Sequence, residues 1–353
     1  MQVTLKDIAE KLGVTVTTVH KALNGSTGVS EKRRTEILQT AAEMGYKVNY
    51  MASSLSRREF RIAAVLPDTV GDNRFYYGAL WDGMRSFLQT IQEYPVEVTE
   101  YPYPLTPDGN GRMLGKLFRQ DSDRFHGLIT IAMDSDCSAH YLEQFARKRI
   151  PVVLIGADLH TDSRLCCVKA DDTMAGQLAA ELLTAFLPHS TPVTIITAGD
   201  PGMRDQLHNI RAFHSYLKQY APLVNAVSLE GTDPESIITD IRRYLAEHPD
   251  VYAIYTSSSR FTFHLGKCIR ELGLQDRIPV IGNDLFPESR QALADGILRG
   301  VIDKKIPQQG SLALQTLVEY LFKKERPHSD ILTVRPEVVL RSSFRISPDK
   351  NSV

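Results

Sequence analysis

The chain has 353 residues, of which 42% are hydrophobic and 24% charged, and its net charge is −1 at pH 7. This composition is typical of globular proteins and argues against disordered, fibrous and membrane classes. We expect no membrane span and no secretory leader, because no apolar run is long enough and Met1 leads into polar sequence. The four cysteines lack metal or paired spacing, so we expect reduced thiols in a cytoplasm, with no metal and no cofactor.

Two short helices joined by a tight turn are predicted between Val3 and Asn24. Apolar residues recur at helical spacing in each half: Leu5, Ile8, Ala9 and Leu12, then Val16, Val19, Ala22 and Leu23. Gly13 separates the halves, and Thr15 is placed to cap the second helix. That helix turns polar and cationic residues outward: Thr17, Thr18, His20 and Lys21. This arrangement is typical of a DNA-reading helix-turn-helix, although an ordinary helical hairpin fits the same pattern.

A third helix is predicted from its cap, Ser30, to Gly45. Arg33 and Arg34 near its start either reach phosphates or are simply solvated. The next residues, 46–60, are Ser-rich and lack core periodicity, so we expect a linker with one short helix before the buried strand RIAAVLPD. Residues 1–60 contain nine basic and six acidic residues, a net charge of +3, which suits contact with a polyanion.

Residues 3–60 resemble the head of the LacI/GalR family of bacterial transcription regulators. The similarity is collinear and nearly gap-free over the segments TLKDIAEKLGV, TTVHKALNG and VSEKRRTEILQTAAEMGY, followed by the spaced Tyr46, Asn49, Ala52 and Leu55. Two departures are His20, where the family usually has Ser, and Val48, where it has Pro. The first bears on sequence specificity, and the second loosens the entry to the hinge helix.

The resemblance implies a role for each DNA-facing position. Val16, Thr17 and Lys21 would read base edges in the major groove, with His20 beside them. Leu55 would insert into the minor groove from a hinge helix at about residues 49–57. The phosphate and remaining hinge contacts are expected from Thr4, Thr15, Thr18, Asn24, Arg34, Asn49 and Ala52.

From residue 61, short Val/Ile-rich strands alternate with helices, which predicts parallel sheets covered on both faces. Since roughly 290 residues are too many for one sheet, we expect two similar lobes. The stretch resembles the type I periplasmic-binding-protein fold that LacI-family proteins use as an effector domain. This implies one effector-binding and dimerisation domain over 61–345 and a tail at 346–353. Its first lobe would comprise about 61–168 and 303–330, and its second about 169–302 and 331–345.

Ligands of open α/β sheets bind beyond the carboxyl ends of the strands. After the first strand, Asn73, Phe75 and Tyr76 resemble the asparagine and aromatic pair of periplasmic sugar binders, unless they form a loop with core aromatics. Asp284 follows a later strand where the family has a hydroxyl-binding carboxylate, unless it forms a turn with Asn283.

Four further residues depart from the family's sugar-binding pattern. Asn209 stands in place of an arginine, Ser258 and Ser259 in place of an Asn-Asp pair, and Lys304 in place of a late glutamine. These changes disfavour a standard hexose. Lys304, with Arg204 and Arg260, favours an acidic or phosphorylated sugar, unless the two arginines are surface cations.

We therefore expect a bacterial, cytoplasmic, nucleoid-associated homodimer that binds a near-palindromic double-stranded operator and represses transcription. A carbohydrate-like effector between the lobes would control its DNA affinity, and no membrane partner is expected. One rival is a solute-binding protein of a sugar uptake system, which leaves the head unexplained. Another is a sugar-modifying enzyme, but we find no catalytic residue set, HExxH or GxSxG motif.

Overall fold

A computed structural model describes residues 3–23, 28–44, 46, 59–131, 136–159, 161–188 and 191–343. Among these residues, no helix is both long and apolar enough to cross a membrane. The predicted hinge helix with Asn49, Ala52 and Leu55 lies outside the described residues. The same is true of Asn24 and of the predicted tail.

Three helices form the head: α1 (Leu5–Leu12), α2 (Val16–Leu23) and α3 (Glu31–Glu43). Thr4 caps α1 in a reciprocal capping box, because its backbone N–H donates to Asp7 Oδ2 at 2.7 Å and the Asp7 N–H donates back to the Thr4 hydroxyl. Gly13 ends α1 with a φ of 62°, the left-handed conformation that glycine adopts without steric cost. The apolar stripes of the helices meet in one small core of buried side chains: Ile8, Ala9, Val19, Ala22, Ile37 and Ala41.

The body contains twelve described strands and nine described helices. The strands are β1 (Phe60–Pro67), β2 (Val96–Tyr103), β3 (Gly127–Ile131), β4 (Val152–Ile155), β5 (Cys166–Ala170), β6 (Val193–Gly199), β7 (Val224–Glu230), β8 (Val251–Thr256), β9 (Val280–Asn283), β10 (Gly300–Asp303), β11 (Ile331–Val334) and β12 (Glu337–Val339). The helices are α4 (Ala79–Thr90), α5 (Gly109–Asp121), α6 (Asp136–Arg147), α7 (Asp172–Thr184), α8 (Arg204–Tyr220), α9 (Pro234–Glu247), α10 (Ser259–Leu272), α11 (Pro287–Ala294) and α12 (Ile306–Lys323). A π-helical turn at Arg74–Gly78 leads into α4.

Two six-stranded sheets define two lobes. The first has the order β11-β5-β4-β3-β1-β2, and the second has the order β12-β10-β9-β8-β6-β7. All neighbours are parallel except β12, which runs antiparallel to β10. The central strands are buried along their whole length because helices cover both faces. The predicted architecture of two α/β lobes behind a helical head is therefore confirmed.

The chain passes between the lobes three times. It leaves the first lobe after β5, returns between β10 and α12, and crosses again between β11 and β12. The expectation that residues 331–345 all belong to the second lobe is wrong at its start, because Ile331 of β11 pairs with Cys167 of β5. The third crossing falls at Arg335 and Pro336, where proline has no N–H to continue a strand ladder.

Helices in each lobe pack at very short range through glycine. A Cβ atom on Gly83 of α4 would lie 1.9 Å from the Pro307 carbonyl oxygen of α12. On the second lobe, a Cβ atom on Gly176 of α7 would lie 2.1 Å from the Asn209 carbonyl oxygen of α8. In each lobe, a glycine therefore allows two helices to approach more closely than a side chain would permit.

Candidate functional site

The outward face of α2 presents a continuous ridge of side chains. Val16 is 43% exposed, and Thr17, His20 and Lys21 are also exposed. Their i, i+1, i+4, i+5 spacing places them on one side of the helix, while Val19 on the opposite side is buried. At this spacing the Lys21 cation can contact guanine acceptors, and the Thr17 hydroxyl can contact the edges of several bases. The apolar Val16 side chain can contact a thymine methyl.

The described residues that are predicted to contact phosphates lie near the ends of helices α1, α2 and α3. Thr15 accepts a hydrogen bond from the Thr18 N–H at 3.1 Å and so caps α2. The Thr4 hydroxyl donates to Asp7 Oδ2 at 2.8 Å. Arg34 is half-buried, with its Nε 3.8 Å from Glu31 Oε1. Arg33, for which phosphate contact and solvation were both open, instead donates to the Leu12 carbonyl at 3.0 Å and ties α3 to the end of α1.

A cavity of about 100 Å³ lies between the two lobes. At roughly 10–15 Å³ of such space per water, it holds several waters or one molecule of monosaccharide size. Its polar lining comes from the segments that follow β1, β4, β6, β8, β9 and β10, as expected for parallel sheets. Four predicted effector residues meet in this lining: Tyr76, Ser258, Asp284 and Lys304.

Asp284 and Lys304 form a buried pair at the floor of the cavity. Lys304 Nζ lies 3.8 Å from Asp284 Oδ1, and their side chains are only 3% and 2% exposed. Neither Asp284 oxygen accepts a hydrogen bond of full geometry from a described residue, although the Ser259 backbone N–H interacts with the carboxylate and favours its charged form. A buried carboxylate in that state calls for a partner that the chain itself does not provide. The alternative of a simple turn does not account for the orientation of this side chain into the cavity.

Burial determines the electrostatics of this pair. It raises the pKa of Asp284 to about 6, although Lys304 partly offsets the effect by favouring the charged form. For Lys304, burial alone would lower the pKa, but the facing Asp284, Asp205 and Asp172 raise it above the usual value. Burial, followed by repulsion from Asp205, raises the pKa of Asp172 to about 7, even with Lys169 Nζ 3.2 Å from Asp172 Oδ2.

Two helices begin at the cavity wall. Helix α8 starts at Arg204, and α10 starts at Ser259 with the Ser258 hydroxyl accepting from the Phe261 N–H at 3.5 Å. Their N-termini carry partial positive charge and favour negative groups in the cavity. Arg260, in the first turn of α10, also lines the cavity, and its buried Nε donates no hydrogen bond to a described residue.

Tyr76 lines the cavity from the first lobe. Its hydroxyl approaches Gly156 so closely that a Cβ atom there would lie 2.6 Å away. Gly156 also has a φ of 78°, so both the space and the backbone favour glycine. The strand end at β4 thus holds the tyrosine ring where it can cover one face of a ligand.

Three predicted effector residues do not line the cavity, which corrects the prediction for them. Asn73 donates to Asp68 Oδ1 at 3.3 Å within its own loop. Phe75 packs against aromatic rings of the second lobe, with centroid distances of 5.0 Å to Phe263 and 4.4 Å to Phe286. Asn209 is 1% exposed, and its side-chain oxygen accepts from the Tyr255 hydroxyl.

Asp205 was not predicted, yet it lines the cavity from the first turn of α8, one turn before Asn209. The signal available in the sequence was its place after the strand β6. The predicted cation Arg204 lines the cavity as well, with an exposed side chain. The strand-end rule applies to both positions, whereas the family pattern places its binding residue at Asn209.

Side chains bridge the two lobes beside the cavity. His264 Nε2 of α10 lies 2.6 Å from Asp72 Oδ2 of the first lobe. Arg74 donates to Glu288 Oε1 at 2.9 Å, and its guanidinium carbon lies 4.1 Å from the centre of the Phe75 ring. Together with the Phe75 cluster, these contacts join the lobes on the side of the cavity formed by the β1 loop.

Comparison with known proteins separates the head from the body. Residues 4–49 match the model for bacterial regulatory proteins of the lacI family, and residues 116–325 match the model for a periplasmic binding protein domain. A probable HTH-type transcriptional repressor from Bacillus subtilis, ExuR, is 27% identical over 97% of this chain and 98% of its own length. Catabolite control protein A from Priestia megaterium is 21% identical over 98% of this chain and 100% of its own length.

Among solved structures, a solute-binding protein of an ABC transporter from Burkholderia graminis, in complex with D-arabinose, superposes on this chain with a TM-score of 0.72. It is 17% identical, and the match covers 84% of this chain and 100% of that protein. At this identity the likeness establishes the shared two-lobed fold.

Proposed function

Because the chain belongs to the LacI family of bacterial regulatory proteins and is a DNA-binding transcription regulator, we propose that it is a repressor controlled by a small carbohydrate-like effector. The observation that carries this proposal is the buried Asp284, which lines the interlobe cavity and whose two oxygens accept no hydrogen bond of full geometry from the described residues. Hydroxyl groups of a sugar would donate to that carboxylate.

On the DNA side, we propose that Val16, Thr17 and Lys21 read base edges, with His20 beside them. Thr4, Thr15, Thr18, Asn24 and Arg34 would contact phosphates, and the hinge would act through Asn49, Ala52 and Leu55. Two copies of the chain would occupy successive half-sites of a near-palindromic operator, since a symmetric dimer mirrors a symmetric site.

The coupling requires that the effector bind the DNA-bound and DNA-free states with different affinities, a difference typically worth about 1–3 kcal/mol. The cavity is bounded by both lobes, so an occupant favours one particular lobe arrangement. The three chain segments that cross between the lobes would transmit a change in lobe arrangement to the DNA-binding head. The alternative of a solute-binding protein for sugar uptake accounts for the body but assigns no role to the exposed ridge of α2.

The DNA-binding proposal is tested with duplex DNA selected from a random library by the full-length protein, using fluorescence anisotropy at one salt concentration. Lys21→Ala should weaken binding to the selected duplex by about tenfold or more, since one good base contact is worth about 1–3 kcal/mol. Lys116→Ala, which changes an exposed lysine of α5, is the matched control and should bind normally.

The effector proposal is tested by titrating the bound operator with sugars, sugar acids and sugar phosphates. At least one of them should change operator affinity by roughly 5–150-fold, and Asp284→Ala should abolish the response. Operator affinity that no carbohydrate alters would reject effector control, while normal operator binding by Lys21→Ala would reject base reading by that residue.

A further inference from the structure

The cavity carries an uneven set of charges. Asp158 is already neutralised, since Arg164 binds it through two hydrogen bonds of 2.6 and 2.9 Å. Lys304 faces Asp284 at 3.8 Å. Arg260 differs from these residues because its Nε is buried and donates no hydrogen bond within the described part of the chain. A guanidinium lining a cavity in that condition can still accommodate an anionic group.

The backbone around Arg260 reinforces this preference. Arg260 lies in the first turn of α10, a helix of fourteen residues, and the seventeen-residue helix α8 begins at the same cavity. Both N-termini direct positive partial charge towards the space that the guanidinium faces. Negative charge on a ligand is therefore favoured at this end of the cavity.

Two carboxylates of the same lining limit how much negative charge a ligand can carry. Asp284 is 1% exposed, and Asp205 also lines the wall. A phosphate monoester carries about −1.5 to −2 charges at neutral pH, so both carboxylates would repel it more strongly than they repel a singly charged group, even with Lys304 and Arg204 in the same lining. A carboxylate carries one charge, and its planar pair of oxygens matches the fork of a guanidinium.

From these observations we infer that the effector is a singly charged sugar acid. Its carboxylate binds Arg260 at the N-terminus of α10, and its hydroxyls donate to Asp284 and Asp205. The ring or carbon chain lies against Tyr76, within a space that fits one monosaccharide. This inference rests on the proposed function, because it identifies the chemical class of the effector at the same site.

The test uses the full-length protein and isothermal titration calorimetry with matched probes. These are D-glucuronate and D-galacturonate, the neutral sugars D-glucose and D-galactose, and the phosphate ester D-glucose 6-phosphate. A sugar acid should bind at least tenfold more tightly than its neutral counterpart and than the phosphate ester. The same acid should change operator affinity in the anisotropy assay.

Variants of Arg260 separate charge recognition from folding. Arg260→Gln should weaken binding of the acid at least tenfold while leaving the weak affinity for the neutral sugar within about twofold, and Arg260→Lys should restore part of the loss. Arg270→Gln is the matched control, because Arg270 lies on the same helix, is exposed and pairs with Asp295 outside the cavity. Thermal melting of each ligand-free variant verifies that it folds.

The outcomes distinguish this inference from the proposed function. If a neutral sugar or the phosphate ester binds most tightly and alters operator affinity, effector control stands and the sugar-acid inference is wrong. If Arg260→Gln reduces acid and neutral binding equally, Arg260 does not recognise the carboxylate and the inference is also wrong. If no probe binds or alters operator affinity, effector control by a carbohydrate and the inference fail together.

Discussion

Replacing Asp284 by asparagine should make the ligand-free protein more stable. The carboxylate is 1% exposed and accepts no hydrogen bond of full geometry from the described residues, so burial outweighs the attraction of Lys304 and its charge is held at a cost to folding. Asparagine keeps the shape of the side chain without the charge, while Asp205 and Asp172 still favour the charged form of Lys304. It also tolerates the left-handed backbone of this position, where φ is 67°, better than most residues do.

The magnitude follows from the pKa of Asp284, which burial raises from 3.8 to about 6. The folded state therefore binds the proton of Asp284 more tightly than the unfolded state does. The stabilisation of the folded state that results is fully present below pH 3.8 and is lost as pH rises through 6. At about 1.4 kcal/mol per pKa unit, the ionised carboxylate costs about 3 kcal/mol at pH 7.5 and about half of that at pH 5.

The assay is urea unfolding of the ligand-free protein at pH 5 and pH 7.5, followed by circular dichroism. Asp284→Asn should raise the free energy of unfolding by about 3 kcal/mol at the higher pH and by about half as much at the lower pH. Asp276→Asn is the control, because the Asp276 side chain is 93% exposed. A gain below about 1 kcal/mol at pH 7.5, or an equal gain at both pH values, would refute the reasoning.

Two further predictions concern packing and lobe closure. Gly83→Ala should destabilise the protein by about 2 kcal/mol or more in urea unfolding, because its Cβ would overlap the Pro307 carbonyl. Gly266→Ala, in an open position of α10, should instead be neutral or stabilise by up to about 1 kcal/mol, and equal effects of the two changes would contradict the packing argument. Arg74→Ala removes the bridge to Glu288 between the lobes, so the radius of gyration by X-ray scattering should increase. Arg85→Ala breaks only pairs within the first lobe, with Glu100 and Asp82, and should leave the radius of gyration unchanged. An unaltered radius for Arg74→Ala would count against its bridge as a closing contact.

The head was largely predictable because its determinants are local. Helix periodicity, the Thr4–Asp7 capping box and the turn at Gly13 all operate within about ten residues of chain. The strand-end rule and the family resemblance together pointed to Asp284 and Lys304, because every parallel strand points its carboxyl end at the same edge of the sheet. The third crossing was misplaced because β11 and β12 follow each other closely, and only their pairing distinguishes the lobes to which they belong.

The sequence by itself determined the class of protein, the exposed ridge of α2 and the strand ends that supply the cavity. Tertiary structure decided which side chains at those ends face a ligand. Asp205 and Asn209 share one face of α8, but Asn209 lies one turn deeper, where Tyr255 and the close approach of α7 cover it. Phe75 does not line the cavity, because its ring packs against Phe263 and Phe286, which lie nearly two hundred residues or more away in the chain. Burial of this kind depends on the packing of distant elements, which no local pattern of residues encodes.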